Sequence, residues 1–139
     1  MSALQGDISP SGKDLGSKFP RTMRLLRHAD FEKVYKEGRR HFSSNMTVFY
    51  LRRETGEGLR VGFTVGRVLG GAVVRNRMKR RLREAVRLRQ PGWSAAIDVV
   101  INPKKSLLRA EFSELMEEIT RAFRAIQAKS VETRRSTAT

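Results

Sequence analysis

The sequence contains no cysteine. Disulfide bonds, thiolate metal sites and thiol nucleophiles are therefore excluded, and the chain is compatible with a reducing compartment. It also lacks an apolar run of the roughly twenty residues that a membrane-spanning helix needs. Residues 1–20 hold no apolar run long enough for a signal peptide. We therefore expect a cytoplasmic protein without a membrane partner.

Acidic and aromatic residues are scarce. Aromatic residues make up 7% of the chain, and 14 acidic residues stand against 29 Lys and Arg, which gives a formal net charge of +15. Such an excess of positive charge repels itself in the folded state and attracts polyanions. An anionic membrane surface would require an amphipathic helix with aromatic anchors, whereas the single Trp93 follows Pro91 and Gly92 in a predicted turn. The composition therefore favours nucleic acid as the partner.

A chain of 139 residues is long enough for one domain with a single core. Residues 1–20 are rich in Ser, Gly, Pro and Asp and lack hydrophobic periodicity, which predicts a disordered leader. Residues 129–139 have the same character and are predicted to be a flexible tail. One folded domain is therefore expected over residues 21–128.

Hydrophobic periodicity predicts alternating helices and strands within that domain. Helices are expected over 28–36 and 73–89, and a third carries an apolar stripe from Leu108 to Ile126. Strands are expected over 45–53, 59–65 and 96–101, with a short extra strand near 40–43. The glycine-bearing segment 54–58 is interpreted as the turn of a hairpin between the first two. The order α-β-β-β-α-β-α predicts an α+β fold, a two-layer sandwich of helices against one sheet.

The strongest local signal is the segment 75–89, in which eight of fifteen residues are basic and only Glu84 is acidic. Most such runs are solvated helix faces. Those faces usually carry a Glu one turn away from each basic residue, and here only Glu84 can do so. Arginine outnumbers lysine, and a guanidinium can bridge phosphate oxygens or stack on a base. The segment therefore predicts a phosphate-binding helix.

Two features at the start of this helix allow more than one interpretation. Asn76 can cap the helix or can donate a hydrogen bond to a sugar or base of RNA. The glycine-bearing segment 66–71 places backbone amides near a helix N-terminus, where phosphate binds well, although turns require glycine in any case. No Gly-Lys-Ser or Gly-Lys-Thr follows, so the segment is not a nucleotide-binding P-loop.

A second candidate surface contains aromatic residues. Phe31 and Tyr35 lie on the first predicted helix, and Thr47 and Phe49 lie two residues apart on one strand face. Aromatic faces beside basic residues are how proteins hold unpaired bases. Phe31 considered alone is more typical of a core residue, whereas Tyr35 suits either role because its hydroxyl tolerates water.

Catalytic patterns are missing from the sequence. His28 and His41 lack metal-ligand spacing, and the acidic residues form no Asp-x-Asp or His-x-Glu cluster. Glu114, Glu117 and Glu118 are interpreted as the solvated side of the last helix. We therefore predict no catalytic, cofactor or metal site on the protein.

Three segments together resemble a known family. Residues 60–65 (RVGFTV) and 70–84 (GGAVVRNRMKRRLRE) closely resemble the signature of the bacterial ribonuclease P protein component. Residues 30–38 (DFEKVYKEG) resemble the first helix of that family. The resemblance extends from about residue 23 to residue 126 in the same element order. One departure is Gly66-Arg67-Val68, which stands where the family commonly has Ser-Lys-Lys.

The resemblance implies a subunit of ribonuclease P, an endoribonuclease whose chemistry is carried by a catalytic RNA. That RNA, with its own Mg2+, removes the 5′ leader of precursor tRNA, while the protein binds RNA and no cofactor or small-molecule substrate. The family also implies an unusual left-handed βαβ crossover, against the usual right-handed rule. The predicted RNA-binding residues are Arg67, Arg75, Asn76, Arg77, Lys79, Arg80, Arg83 and Arg87. The predicted leader-binding cleft is formed by Phe31, Tyr35, Thr47 and Phe49.

Two other classes of protein share part of this pattern. A ribosomal or ribosome-assembly protein would suit the same basic charge and sandwich fold. A protein-only nuclease is disfavoured because the sequence shows no metal-binding cluster.

Overall fold

The computed structural model describes residue 24, residues 27–89 and residues 95–138, with side chains described as far as residue 129. The predicted leader, residues 1–20, lies outside the described residues. The elements are helices α1 (His28–Glu37), α2 (Ala72–Arg89) and α3 (Phe112–Ala138), and strands β1 (Arg39–Phe42), β2 (Met46–Arg52), β3 (Leu59–Phe63) and β4 (Ile97–Pro103). Short 3-10 helices cover Arg67–Leu69 and Lys105–Leu108. The α+β class and the element order are confirmed.

The four strands form one sheet in the order β1-β2-β4-β3. β1 and β2 form an antiparallel hairpin, and β2 also pairs antiparallel with β4. β3 pairs with β4 in parallel, and α2 connects these two strands as the crossover of a βαβ unit. The predicted short strand before β2 is therefore confirmed, whereas the predicted hairpin of β2 with β3 is wrong.

The burial of β4 explains why β2 and β3 do not pair with each other. Every residue from Ile97 to Ile101 is buried, so both faces of this strand are covered. A strand buried on both faces is most stable in the middle of a sheet. It therefore inserts between β2 and β3, although those two strands are neighbours in sequence.

The main core lies between one sheet face and helices α2 and α3. Strand residues such as Val48, Val61 and Val99 pack there against α2 residues such as Leu82 and α3 residues such as Ile119. Residues at alternate positions point to the other face, as the period of a strand requires. Helix α1 packs on that second face, so the predicted sandwich is refined: helices cover both sides of the sheet.

The second, smaller core holds α1 in place. Val34 of α1 and Val100 of β4 are both fully buried, with Phe31, Tyr35, Phe49 and Leu51 packed around them. The helix ends at Gly38, whose N–H donates to Val34 O at 2.9 Å. A Cβ at Gly38 would lie 2.5 Å from both Val34 O and Tyr50 O, so only glycine allows this close approach to β2.

Helix α3 runs further than expected. It continues to Ala138, so the predicted boundary at residue 129 is not the end of an element. Residues 129–139 contain no Gly or Pro to end a helix. No helix of the described residues is both long and apolar enough to cross a bilayer.

Glu118 is not on the solvated side of α3, as the sequence suggested, but is 4% exposed. Its Oε1 accepts hydrogen bonds from Ser43 Oγ at 2.5 Å and from Asn45 N at 2.9 Å. Its Oε2 accepts another from Asn45 Nδ2. The donors come from the turn between β1 and β2, so this buried carboxylate ties that turn to α3.

Candidate nucleic-acid interface

The predicted leader-binding residues meet on the α1 side of the sheet. The rings of Tyr35 and Phe49 pack edge to face, with 4.8 Å between centroids and an interplanar angle of 85°. Thr47 is two residues from Phe49 on the same face of β2, and all of these side chains are half-buried. Phe31, Tyr35 and Phe49 therefore pack together between α1 and the sheet, with Thr47 beside them on the same strand face, and this region is called the cleft below.

Tyr35 is held in this cleft by its hydroxyl group. The hydroxyl oxygen lies 2.6 Å from Thr64 Oγ1 and 2.9 Å from Asn102 Oδ1. The amide oxygen can only accept, so Tyr35 donates to Asn102 and can accept from the Thr64 hydroxyl. These contacts bridge α1 to β4 and to the segment after β3, and they fix the ring as one wall of the cleft.

Phe31 has a more structural role. Its ring lies directly against Gly62 of β3, where an added Cβ would collide with the ring. This is the core role that a phenylalanine at this helix position most often has. Phe31 therefore supports the floor of the cleft where α1 crosses β3.

A buried ion cluster fixes the same helix. Asp98, 4% exposed, accepts a two-pronged contact from Arg60, with Nε to Oδ1 and Nη2 to Oδ2 both at 2.8 Å. Arg53 Nη1 donates to Asp98 Oδ1 at 2.7 Å, and Arg60 also reaches Asp30 of α1 at 3.7 Å. The hydrogen bonds to Asp98 raise the pKa of Arg60. The cluster therefore links α1, β3 and β4 through charge.

The arginines of α2 fall into two groups. Some are engaged within the protein: Arg75 Nε donates to Gly70 O at 3.1 Å, and Arg87 pairs with Glu84 at 2.5 Å. Arg81, which was not a predicted site residue, binds two backbone carbonyls of the segment before α3. The exposed arginines are Arg77, Arg80, Arg83 and Arg89, with exposed Asn76 and half-buried Lys79 beside them. The helix therefore keeps an outward basic face after its internal contacts are made.

Asn76 is not a helix cap. Helix α2 begins at Ala72, so Asn76 lies inside the first turns, beyond the position where a side chain caps the free amides. Its side chain is exposed and makes no hydrogen bond to the described residues. Of the two roles considered from the sequence, the structure removes the capping role.

Arg83 stands in a cluster of like charges. Although its side chain reaches solvent, desolvation by neighbouring groups, with the nearby charges of Arg24 and Arg80, lowers the pKa of its guanidinium. Arg24 reaches this point because it forms an isolated parallel bridge with Val61 on β3. Like charges gathered in this way repel one another, and an anion placed among them would relieve that repulsion.

Arg67 lies apart from this cluster. It begins the 3-10 helix that leads to α2, and its side chain is exposed. The structure thus places Arg67 on the surface before the N-terminus of α2, within the glycine-bearing segment 66–71.

Known proteins share this fold. The solved structure of the Staphylococcus aureus RNase P protein has a TM-score of 0.64 at 23% identity, covering 75% of this chain and 94% of that one. The RNase P protein from Thermotoga maritima in complex with 1-(4-fluorophenyl)-2-thiourea has a TM-score of 0.61 at 27% identity, covering 71% and 95%.

Sequence relatives agree with the fold. The ribonuclease P protein component of Symbiobacterium thermophilum is 41% identical over 100 residues, which are 72% of this chain and 87% of the relative. That of Chloroflexus aurantiacus (strain J-10-fl) is 43% identical over 107 residues, 75% and 77% of the two chains. The family model for ribonuclease P matches residues 19–127. The chain belongs to the ribonuclease P protein family.

Membership confirms the resemblance and makes the protein a subunit of ribonuclease P, an enzyme with an RNA partner subunit. It also decides against the ribosomal-protein hypothesis. Among the described residues, no three His, Asp or Glu side chains form a group that could hold a metal ion.

Sequence reasoning missed two residues beside the cleft of this ribonuclease P protein. Arg40 of β1 places its guanidinium carbon 5.5 Å from the centroid of the Phe49 ring. Phe42 follows two residues later on the same face, beside Thr47. The alternation of β1 could have indicated both residues, but only the sheet register places them next to the predicted cleft.

Proposed function

We propose that this ribonuclease P protein binds two RNAs through two separate surfaces. The exposed basic face of α2 binds the catalytic RNA, and the cleft between α1 and the sheet binds the single-stranded 5′ leader of precursor tRNA. The catalytic RNA, with its Mg2+, cleaves the leader. The protein positions the substrate and has no catalytic residue of its own.

The observation that carries this proposal is the placement of the two surfaces. Helix α2 packs on one face of the sheet, whereas the cleft lies on the other. The surfaces therefore do not overlap, and occupation of one leaves the other accessible. Such an arrangement suits a subunit that bridges an RNA catalyst and the unpaired end of its substrate.

The chemistry of each surface supports its assigned partner. Exposed arginines on a regular helix suit a folded RNA, whose phosphates lie at recurring distances. The cleft combines aromatic rings, a guanidinium and polar amide and hydroxyl groups, which suits unpaired bases. A site lined by aromatic rings suits a single strand better than a duplex, because the faces of bases in a duplex are covered by stacking on their neighbours.

Mg2+ is assigned to the RNA because the buried carboxylates of the protein are already engaged. Asp98 is bound by Arg53 and Arg60, and Glu118 is bound by Ser43 and Asn45. A cation would have to displace these donors. In the complex, Mg2+ held by the RNA would activate the nucleophile and stabilise the leaving group.

The test is cleavage of precursor tRNA at physiological magnesium by the protein alone, a bacterial ribonuclease P RNA alone, and both together. We expect efficient cleavage only when both are present. Cleavage by RNA-free protein, abolished by substitution of one carboxylate, would replace the proposal with a protein-only nuclease. Protein that gives the RNA no assistance would also contradict it.

A further inference from the structure

One aromatic side chain next to the cleft has no internal role. Phe42, at the end of β1, is 68% exposed, and it is the only aromatic among the large apolar side chains that are exposed in the described residues. A phenylalanine is normally buried because its ring has little to gain from water. The face of this ring is therefore accessible to a ligand.

The sheet register places Phe42 beside the cleft. Phe42 is directly opposite Thr47, and Arg40 is directly opposite Phe49, across the β1–β2 pair. Opposite residues of neighbouring strands share a face, so Phe42 extends the row of cleft residues towards the edge of the sheet. Phe42 and Phe49 are diagonal neighbours, a relation that places side chains roughly 7–8 Å apart.

That spacing favours an unpaired nucleic acid strand. Bases in a duplex strand repeat at roughly 3.4 Å along the axis, too close for successive bases to meet both rings. A single strand can splay its bases apart and stack them one by one on aromatic side chains. The two rings therefore match an opened strand.

The backbone that carries Phe42 is fixed. The next residue, Ser43, donates from its hydroxyl to buried Glu118, and its carbonyl oxygen accepts a hydrogen bond from Lys104 Nζ at 3.0 Å. Its N–H donates to Met46 O at 3.0 Å. A ring presented on an anchored strand end loses little backbone freedom when it binds a ligand.

Charge distinguishes RNA from an apolar protein partner. Strand β1 reads Arg39-Arg40-His41-Phe42, so the exposed ring sits in a basic strand. Arg40 forms no ion pair with the described acidic residues, which leaves its charge available for a phosphate. Arginine and lysine on an edge strand also discourage pairing with a second protein strand.

We propose that Phe42 and Arg40 form an outer nucleotide subsite of the cleft, in which an unpaired leader base stacks on Phe42 and its phosphate contacts the Arg40 guanidinium. The inference rests on the proposed leader-binding role of the cleft and extends it by one nucleotide. It makes affinity for the substrate depend on how far the leader extends beyond the Tyr35–Phe49 pair.

The test uses the complex of the protein with ribonuclease P RNA. Equilibrium binding is measured for precursor tRNA with a long unpaired leader and with a leader cut back to its last nucleotides. Phe42→Ala is expected to weaken binding of the long-leader substrate about fivefold or more, the range for loss of one base–aromatic stack. The short-leader substrate should bind as before.

Three variants control this result. Phe42→Tyr keeps an aromatic face and should retain the long-leader affinity. Leu88→Ala removes another exposed apolar side chain, far from the cleft on α2, and should leave the ratio of long- to short-leader affinity unchanged. Because Phe42 is exposed, its variants should unfold at the temperature of the unsubstituted protein.

The outcomes separate the subsite from the cleft. If Tyr35→Ala and Phe49→Ala weaken long-leader binding but Phe42→Ala does not, the outer subsite is wrong and the cleft assignment stands. If none of the three has an effect, both are wrong. An equal loss for both leaders, or a change in self-association by sedimentation, would assign Phe42 to another partner and overturn the subsite.

Discussion

Arg81 Nη1 donates to the carbonyl oxygen of Leu107 at 2.6 Å, and Nη2 of the same side chain donates to Ala110 O at 2.7 Å. The guanidinium thereby joins α2 to the segment that precedes α3. Its neighbour Arg80 is exposed and makes no such contact. Two adjacent arginines of one basic helix therefore have different tasks.

Arg81→Ala is expected to lower stability without weakening contacts to RNA phosphates. Hydrogen bonds from a charged donor contribute about 1.5–3 kcal/mol each, and because the side chain is only half-buried we expect a total loss of about 2 kcal/mol in the free energy of unfolding. Urea unfolding measures this value. A stable Arg81→Ala protein whose RNA binding is impaired would contradict the assignment.

Arg80→Ala should have the opposite profile. Stability should change little, while affinity for the catalytic RNA falls and the slope of log affinity against log salt decreases by about 0.7–0.9, the contribution of one phosphate contact. Arg124→Ala, which removes an exposed arginine of α3, is the matched control and should leave the slope unchanged. Equal slopes for the two variants would mean that the basic face of α2 is only solvated.

Tyr35 allows the ring and the hydroxyl to be tested separately. Tyr35→Phe removes the contacts with Thr64 and Asn102 and should lower the free energy of unfolding by about 1 kcal/mol, with leader affinity largely retained. Tyr35→Ala also removes the ring and should weaken binding of a long-leader precursor about fivefold. Mature tRNA, which has no leader, supplies the reference affinity. Equal losses of leader affinity in the two variants would place the hydroxyl, not the ring, in contact with RNA.

Gly62→Ala tests the contact between α1 and β3. The new methyl group would meet the Phe31 ring, and overpacking of this kind destabilises by about 1–3 kcal/mol. Displacement of α1 should also weaken leader binding. Gly66→Ala is the control, because a Cβ there meets nothing within 4 Å and the φ of −83° suits alanine. Equal thermal stability of the two variants would mean that α1 does not depend on this close approach.

The helices were predictable because their signals are local. The predicted segments 28–36 and 73–89 lie within one residue of α1 and α2 at each end. Apolar residues at helical spacing, such as Met78 and Leu82, are buried as the period requires. Only the extent of α3 was underestimated, because a helix can continue past the last residue that packs.

The order of the strands was not predictable from neighbouring segments. The glycines Gly56 and Gly58, with φ of 81° and 88°, do turn the chain between β2 and β3, and this suggested a hairpin. The pairing of β2 and β3 is prevented by β4, which lies between them in the sheet. β4 begins 34 residues after the end of β3 and is buried on both faces. A local turn signal carries no information about a distant strand that can pair in place of the neighbouring one.

The contacts of individual residues within the predicted surfaces were also not predictable, because they involve elements that are distant in sequence. The aromatic residues of α1 were located correctly, but the packing of Phe31 on Gly62 and the hydrogen bonds of Tyr35 depend on other elements. Phe42 was missed because a single phenylalanine in a short basic segment has no distinctive pattern. Its position became informative only through its register with Thr47.

The central position of β4 also determines when the sheet can close during synthesis. β2 and β3 are complete by residue 63, but each keeps its inner edge unpaired until residues 97–103 exist. Before β4 is made, the emerging chain carries two open strand edges, the kind of surface at which strands pair wrongly, together with all of the α2 arginines. The basic helix α2 therefore leaves the ribosome before the sheet on which it packs is complete, and its core contacts can form only after β4 and α3 have been made.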